Sequence, residues 1–275
     1  MKTALLACAV LLALPLAAMA ADPPPPPVGW SGTGEAGLSV ASGNTKSQNL
    51  NAKLDFKFND DRWKDDFYLL ALRNKSNVNV TAVDTSTSPP TTISTSQYNL
   101  TANRYEAGAS AGYKLDERSY IVGALRYEHD EFSAYDYQYV ASIGYGYQVL
   151  KNARDQLALE IGAGYRMVQP TSYFLIPVDP GSPVVKVNPD SDSNIVARGK
   201  IDYKHGFSDS VSFVDTLVVE AGSGNKFIQN DAGLAVKMSD RLALKAGYQI
   251  RHNSEVAAGF KKTDSLFTTN LVYSF

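Results

Sequence analysis

Residues 50–58 read Leu50-Asn51-Ala52-Lys53-Leu54-Asp55-Phe56-Lys57-Phe58, and this stretch sets the fold class. Every even position is apolar, and every odd position is polar or charged. A helix would distribute the apolar side chains around its circumference, whereas a strand places all of them on one face. The stretch therefore predicts a β-strand with one apolar face and one charged face.

The same two-residue period returns along most of the chain. In residues 135–149, one parity is rich in Tyr, Ala and Ile, and the other carries Asp, Gln, Ser and Gly. The weakest runs are interrupted by Asp65 and Asp215 on their apolar parity. Twelve candidate strands result, at 29–41, 46–59, 62–74, 96–114, 119–128, 134–149, 156–168, 194–205, 210–221, 226–238, 241–252 and 263–275.

The connections between these runs alternate in length. Every second one is short and polar, whereas the other end has two long segments, 75–95 and 169–193, rich in Ser, Thr, Pro, Asn and Asp. Up-and-down strands with short turns at one end and longer loops at the other are typical of outer-membrane barrels. Because lipid offers no hydrogen-bond partner, a sheet must close on itself to cross a bilayer. We therefore predict an all-β fold, a transmembrane antiparallel up-and-down β-barrel of twelve strands over residues 29–275.

A secreted soluble sandwich or a lipocalin-like barrel would also alternate. Two features favour the membrane barrel: the apolar parity continues for longer than in usual soluble strands, and the other parity carries Gly and charges where a soluble core needs aliphatic side chains. Aromatic side chains at strand ends are expected to form the two interface girdles. They are Trp30, Phe58, Trp63, Tyr113, Tyr120, Tyr135, Tyr203, Phe213 and Tyr273.

The first 20 residues have the pattern of a signal peptide. Lys2 precedes an apolar stretch at 4–16, and the small residues Ala18 and Ala20 mark a cleavage site. Cleavage after Ala20 would remove Cys8, the single cysteine, and leave no thiol chemistry. The proline run at 23–27 favours an extended polyproline II conformation, so residues 21–28 are expected to be a Pro-rich periplasmic leader outside the barrel.

The composition excludes other classes of protein. The 26 Lys and Arg against 28 Asp and Glu give a formal net charge of −2, which argues against a polybasic nucleic-acid binder. After residue 21 the chain has no apolar run of about 18 residues, so a bundle of membrane helices is excluded as well. We expect no nucleic-acid partner.

The chain ends in a strand pattern that finishes on a phenylalanine. Alternate positions hold Phe267, Thr269, Leu271, Tyr273 and Phe275. This stretch resembles the terminal strand of Gram-negative outer-membrane proteins, which the barrel-assembly machinery reads, and Phe267, Leu271, Tyr273 and Phe275 would be the assembly signal. The resemblance implies periplasmic chaperones and that machinery as partners during biogenesis. With an even strand count, it implies periplasmic termini and extracellular loops at 75–95 and 169–193.

A second resemblance lies in the middle of the chain. Residues 129–137 read His-Asp-Glu-Phe-Ser-Ala-Tyr-Asp-Tyr, and residues 143–147 read Ile-Gly-Tyr-Gly-Tyr. These segments, with 30–37, 42–45 and 259–264, resemble the family of salt-induced outer-membrane proteins, domain of unknown function 481. The long segments 75–95 and 169–193 are larger than usual for that family. The resemblance implies an outer-membrane location, with the lipid bilayer and lipopolysaccharide as partners, and it supplies no reaction.

If the apolar parity faces lipid, the other parity lines the lumen. The charged residues predicted to line it are Glu35, Lys53, Asp55, Lys57, Glu106, Arg126, Glu160, Arg166, Arg198, Lys200, Asp202, Lys245 and Arg251, with Glu128 on the same parity. Paired charges would fill a closed structural or stress-related barrel. Partly hydrated charges would line a narrow or gated channel for small solutes, and a slight basic excess would favour anions. Twelve strands fall between small filled barrels and 16-stranded porins, so both interpretations stay open.

An outer-membrane hydrolase is a remote alternative. Its serine would need a histidine base, yet His129, His205 and His252 all lie at strand ends. We therefore predict no catalytic residue. Asp130, Glu131 and Asp136 could hold Ca²⁺ or bridge lipopolysaccharide through divalent ions, but such a group is more often a solvated tip, so we predict no metal and no cofactor.

Overall fold

The structure is a computed structural model that describes residues 28–41, 46–84, 86, 88–89, 91–133, 135–175, 183–256 and 261–275. The expected signal peptide and nearly all of the expected leader, at residues 1–27, lie outside the described residues. Within the described ranges, no helix is long and apolar enough to cross a membrane.

Twelve antiparallel strands form one closed barrel, and two short strands form a separate small sheet. The strands are β1 Gly29–Ala41, β2 Ser47–Asn59, β3 Trp63–Asp84, β4 Thr91–Lys114, β5 Ser119–Asp130, β6 Tyr135–Lys151, β7 Asp155–Pro170, β8 Tyr173–Leu175, β9 Val185–Val187, β10 Asp192–Gly206, β11 Val211–Gly222, β12 Lys226–Lys237, β13 Leu242–Asn253 and β14 Thr263–Ser274. Barrel strands adjacent in sequence are adjacent in space, with β7 next to β10 and β14 next to β1. The predicted twelve-stranded up-and-down barrel is confirmed.

The short connections meet at one end of the barrel, which we call the turn end, and the opposite end is the loop end. At the turn end, a side-chain oxygen caps each hairpin. Asp60 Oδ1, for example, accepts the backbone N–H groups of Arg62 at 2.7 Å and Trp63 at 2.6 Å. Asp116, Asn152, Ser208 and Ser239 cap the other four turns in the same manner. Asp, Asn and Ser stand here because their short side chains mimic a backbone turn.

The prediction of a long loop at 75–95 is wrong. Beyond a register shift at Asn74 and Lys75, β3 continues to Asp84 and pairs with β4 from Thr91 onwards. Only about six residues connect the two strands, so the hairpin projects past its neighbours at the loop end. On β4, residues 91–99 are all exposed, and the Thr- and Ser-rich run at 91–96 forms strand without apolar alternation. The 169–193 segment is also shorter than predicted, because β7 reaches Pro170 and the β8–β9 sheet lies within it.

The distribution of side chains is the reverse of that in a soluble protein: apolar side chains lie on the outer surface and charged ones on the inner surface. Ile161, on the outer surface, is 73% exposed, and Leu69 and Leu125 are also exposed there. Glu128, on the inner surface, is 0% exposed. An outer belt of apolar side chains is stable in lipid, while in water it would be an aggregation surface. The barrel is therefore of the outer-membrane type.

Two of the aromatic residues assigned to the girdles face the lumen instead. Tyr120 is buried and shares its inward parity with Val122 and Glu128 on β5. Tyr135 is turned inward by a register shift between Tyr135 and Tyr137, and its hydroxyl donates to Glu128 at 2.8 Å. A position at a strand end does not decide which face a side chain takes; parity and local irregularities decide it.

Candidate functional site: a charged lumen closed by a latch

The lumen is crossed by four charged side chains, Arg126 and Glu128 of β5, Glu220 of β11 and Arg251 of β13, which we call the latch. Arg251 Nη2 donates to Glu128 Oε1 at 2.5 Å, and Arg126 donates to Glu128 Oε2 at 2.8 Å and to Glu220 Oε2 at 2.7 Å. β5 and β13 lie six strands apart around the ring of twelve, so the contact between Arg251 and Glu128 spans the barrel. The latch therefore closes the lumen at this level.

Glu128 is the centre of the latch. Besides the two arginines, its carboxylate accepts the Tyr135 hydroxyl at 2.8 Å and the Gln138 amide at 3.1 Å. Each carboxylate oxygen thus has two donors, which is the full capacity of the group. A charge withdrawn from water is tolerated only when its partners are this complete.

Phe227 of β12 supports the two latch arginines. The guanidinium carbons of Arg126 and Arg251 lie 4.9 Å and 5.3 Å from the centre of its ring. Such cation–π contacts hold the planar groups in place without supplying a hydrogen-bond acceptor. Phe227 is the buried aromatic side chain that faces the latch arginines, so the closed arrangement is held by stacking as well as by charge.

Some hydrogen-bond donors of the latch have no acceptor. The Nε atoms of Arg126 and Arg251 are buried and have no protein acceptor, and the same holds for Nε of Arg104 and Arg166 among the described residues. Arg104 directs its Nη2 to neutral Gln249 at 2.6 Å. A buried donor without an acceptor costs about 1–3 kcal/mol, so a lumen that served only as dry filling would be expected to avoid such groups.

A second group of charges lies nearer the turn end. Glu160 accepts from Arg198 at 3.3 Å and from the Tyr120 hydroxyl at 2.9 Å. Lys200 and Asp202 are 2.7 Å apart. Tyr120 fits because Gly146 on the neighbouring strand has no side chain, and its ring occupies the place that a β-carbon would take. These side chains come from β5, β7 and β10, which lie on one side of the ring of strands.

The third group lies beside the junction of β1 and β14. Lys245 donates to Glu35 at 2.7 Å, and Asn270 donates to the second Glu35 oxygen at 3.2 Å. On β2, Lys53 and Asp55 are 2.9 Å apart. Lys57 and Asp66 are farther apart, at 3.8 Å, and more exposed.

All of the residues predicted to line the lumen lie on the inward parity of their strands. Most of them are joined in the ion pairs described above. Glu106 instead accepts the Tyr68 hydroxyl at 2.6 Å. Arg166 is 4% exposed and has no carboxylate within ion-pair distance among the described residues.

The sequence interpretation missed Glu220, Arg104 and Tyr68. Glu220 has the same parity as Thr216 and Val218, so its orientation was available once β11 was accepted as a strand. Its pairing with Arg126 could not be predicted from the sequence, because the tilt of the strands decides which residues face each other across a barrel.

The terminal residues expected to be the assembly signal, Phe267, Leu271, Tyr273 and Phe275, all point outward and are exposed. The ring of Phe275 covers Gly32 of β1 and lies 5.8 Å from the ring of Phe56.

The three histidines are distributed over separate strand ends. His129 Nδ1 is 2.6 Å from the backbone oxygen of Asp136, His205 Nδ1 is 2.7 Å from Asp155, and His252 Nδ1 is 2.8 Å from the Thr263 hydroxyl. In the part of the chain that the structure describes, these contacts give no serine–histidine pair.

The acidic loop considered for Ca²⁺ is capped internally. Asp130 Oδ1 accepts the backbone N–H of Phe132 at 3.0 Å, and Asp136 faces His129. Within the described ranges, no group of three or more His, Cys, Asp or Glu side chains could hold a metal ion.

Comparison with solved structures shows the same barrel architecture. The translocator domain of the autotransporter NalP from Neisseria meningitidis has a TM-score of 0.50 at 11% identity, covering 91% of this chain and 89% of that chain. The NanC porin has a TM-score of 0.43 at 11% identity, covering 89% and 97%. At 11% identity the likeness to the NalP domain concerns the fold alone.

Comparison of sequences gives the family. The Escherichia coli (strain K12) protein named "Uncharacterized protein YdiY" is 23% identical over 174 residues, which are 63% of this chain and 62% of that protein. The match therefore spans less than two thirds of this relative. The family model described as "Protein of unknown function, DUF481" matches residues 34–275, nearly the whole barrel. The chain belongs to the DUF481 family, as the segments around residues 129–147 predicted.

Proposed function

We propose that this protein is an outer-membrane channel with a narrow lumen, and that the latch controls whether small hydrophilic solutes pass. The observation that carries the proposal is how the lumen is closed. Long, flexible, charged side chains on opposite walls meet in its centre, and neither a folded plug nor an apolar core crosses it in the described residues. Such side chains need only rotate away from each other, without any change of the barrel wall, to open a hydrated path.

The unsatisfied arginine Nε atoms support an opening lumen. Water entering the lumen would satisfy these donors, so hydration lowers the cost of separating the latch. Buried ion pairs are also weak stabilisers compared with apolar packing of the same volume. A barrel that is only structural would be expected to use apolar side chains here.

The channel is proposed to prefer small anions. Arg104 and Arg166 face the lumen without a carboxylate within ion-pair distance, and Lys64 lies over the Tyr120 ring at 4.8 Å with no ion pair among the described residues. The acidic side chains of the latch, by contrast, are bound to arginines. Cations without partners along a pore attract anions.

The proposed orientation places the turn end and both termini in the periplasm. The extended β3–β4 hairpin and the β8–β9 sheet then face the exterior. Short turns on the periplasmic side and longer connections outside are the usual arrangement of outer-membrane barrels, which supports this choice.

A closed barrel without transport is the second candidate, and the four-fold bonding of Glu128 favours it. Planar-bilayer recordings separate the two functions. We expect small or rare conductance steps from the wild-type protein. The double substitution Arg126→Ala with Arg251→Ala removes both guanidinium groups from the centre and is expected to raise the single-channel conductance several-fold.

The matched control is Arg62→Ala with Arg154→Ala, which removes two exposed turn arginines and is expected to conduct like the wild type. Folding of every variant is checked by the mobility shift on heating in detergent gels. A latch variant that folds and stays electrically silent would overturn the channel in favour of the closed barrel.

A further inference from the structure

The barrel is closed unevenly at the junction of its first and last strands. β1 pairs with β2 along its full length, from Gly29 to Ala41. Against β14, only Thr33–Ala36 pair, with Leu271–Ser274, next to a double hydrogen bond between Gly32 and Phe275. The ladder thus ends at Ala36 and Leu271, although both strands continue towards the loop end.

Backbone groups face this unpaired part of the seam. Gly32 and Phe275 exchange both of their backbone hydrogen bonds, so alternate residues of β1 point their N–H and C=O groups towards β14. Continued in the same register, the ladder would pair Leu38 with Thr269. In the structure these two residues are not paired. Hydrocarbon offers such groups no partner, so a seam of this kind marks the weakest line in a barrel wall.

The two surfaces of the seam differ in chemistry. On the outside it is flanked by Leu38 and Phe267, which are 73% and 69% exposed. On the inside lie Glu35, bound to Lys245, and Asn270. A molecule that lies across the seam therefore meets apolar side chains in the membrane and charged or amide groups in the lumen.

A polar strap marks the point where the ladder ends. Asn51 of β2 donates to the Asn270 side chain at 2.6 Å, across the inner face of β1. The contact passes over Gly37, where a β-carbon would lie 2.5 Å from both side-chain oxygens. That β-carbon would also lie 2.8 Å from the Thr269 carbonyl oxygen, so the strands are still close together here. A further β-strand needs about 4.8 Å to each neighbour and does not fit at this point.

We infer that the seam between β1 and β14 is a lateral portal that admits a single-chain amphiphile between the lumen and the outer leaflet. Its polar head would lie beside Glu35, Lys245 and Asn270, and its chain would pass between Leu38 and Phe267. The strap would set the lower limit of the portal. The inference rests on the proposed function for its orientation and for a lumen that such a head can enter.

Photocrosslinking tests the portal. A benzophenone amino acid replaces Thr268, on the inner face of β14 beside the seam, Ser212, on the inner face of β11, or Phe267, on the outer face. The purified barrel is placed in phosphatidylethanolamine and phosphatidylglycerol vesicles that contain tritiated lysophosphatidylethanolamine. We expect a radioactive adduct from the Thr268 and Phe267 positions and at least a ten-fold weaker one from the Ser212 position. A folded barrel labelled at Phe267 but not at Thr268 would overturn the portal, as would a crosslink from Thr268 to a second copy of the chain.

A disulfide that holds the seam closed provides a second test. The substitutions Leu38→Cys and Thr269→Cys place two thiols where the next pair of the ladder would form, within the range that a disulfide bridges. Oxidation is expected to abolish the Thr268 adduct and to leave the Phe267 adduct unchanged. An adduct that persists in the oxidised barrel would contradict the portal. Where the disulfide does not form, the comparison of Thr268 with Ser212 decides.

The two proposals fail separately. Lipid adducts at Thr268 in a barrel whose latch variants conduct no ions would overturn the channel and retain the portal. Conductance without a Thr268 adduct would retain the channel and overturn the portal.

Discussion

Glu128 of β5 and Arg251 of β13 lie half a circumference apart, yet their carboxylate and guanidinium groups are 2.5 Å from each other. Two side chains therefore bridge the barrel at this level. The lumen there is filled by long charged side chains inside a hydrogen-bonded wall. A change of one charge at this level affects both the stability of the barrel and the path through it.

The first prediction concerns Glu128. Glu128→Gln leaves Arg126 and Arg251 close together without a shared carboxylate, and we expect a loss of about 3–5 kcal/mol in the free energy of unfolding. Glu128→Gln combined with Arg251→Gln should recover part of this loss, because one of the two cations is then removed. Urea unfolding in lipid vesicles, followed by tryptophan fluorescence, measures both. Glu117→Gln in an exposed turn is the control. If the changes in unfolding free energy caused by Glu128→Gln and Arg251→Gln alone add up to that of the double variant within about 0.5 kcal/mol, the two residues are not directly coupled.

The second prediction concerns ion selectivity. Arg166 is a lumen-facing cation without a carboxylate partner in the described residues, so in the proposed channel its field would act on passing ions. Arg166→Ala is added to the variant that already carries Arg126→Ala and Arg251→Ala. We expect the added substitution to reduce the preference for chloride. The zero-current potential in a KCl gradient should then shift towards that of a cation channel. Arg73→Ala, on an exposed residue of β3, serves as the control. An unchanged potential after loss of Arg166 would exclude it from selectivity.

The third prediction compares two glycines in neighbouring strands. A β-carbon on Gly162 of β7 would overlap the backbone of β6, at the Ile143 carbonyl and 2.6 Å from the Gly144 Cα. A β-carbon on Gly199 of β10 would meet only the Glu160 carbonyl, at 3.9 Å. Backbone cannot move aside as a side chain does, so Gly162→Ala should destabilise the barrel by about 1–3 kcal/mol, while Gly199→Ala should be neutral or stabilising by up to about 1 kcal/mol. Equal unfolding free energies for the two variants would contradict this packing argument.

The alternation of side chains was sufficient to predict the strands but not their extent beyond the bilayer. Inside the bilayer, lipid and lumen impose opposite chemistry on successive residues, so each strand is visible in the sequence. At residues 91–96 of β4 the side chains are exposed, and the sequence loses its alternation while the backbone stays paired with β3. A Thr- and Ser-rich segment of this kind is indistinguishable from a loop by parity alone.

Parity also predicted which charges face inward, yet it did not pair them. Arg126 and Glu220 are 94 residues apart in sequence, and they meet because of the stagger and tilt of the strands between them. Tyr135 shows the second limit of parity, since one register shift turns it from the outer face to the inner face. The unpaired seam at Leu38 and Thr269 gave no signal in the sequence either, because each strand alternates normally there.

The last prediction concerns pH and the cap of the β4–β5 turn. Asp116 Oδ1 accepts the backbone N–H groups of Arg118 and Ser119, each at 2.7 Å, and these bonds lower the pKa of the Asp116 carboxyl below its ordinary value. Because the pKa is lower in the folded state, the cap stabilises the barrel above the pKa of the unfolded chain, and this stabilisation is lost as the pH falls through the folded pKa.

Asp116→Ala should therefore unfold at lower urea concentration than the wild type at pH 7, and the difference should shrink as the carboxyl is protonated. Asp116→Asn keeps the acceptor and should lose the pH dependence, and Asp61→Ala in the β2–β3 turn is the control. A difference between Asp116→Ala and the wild type that stays constant down to acid pH would show that the charge of Asp116 plays no part in the cap.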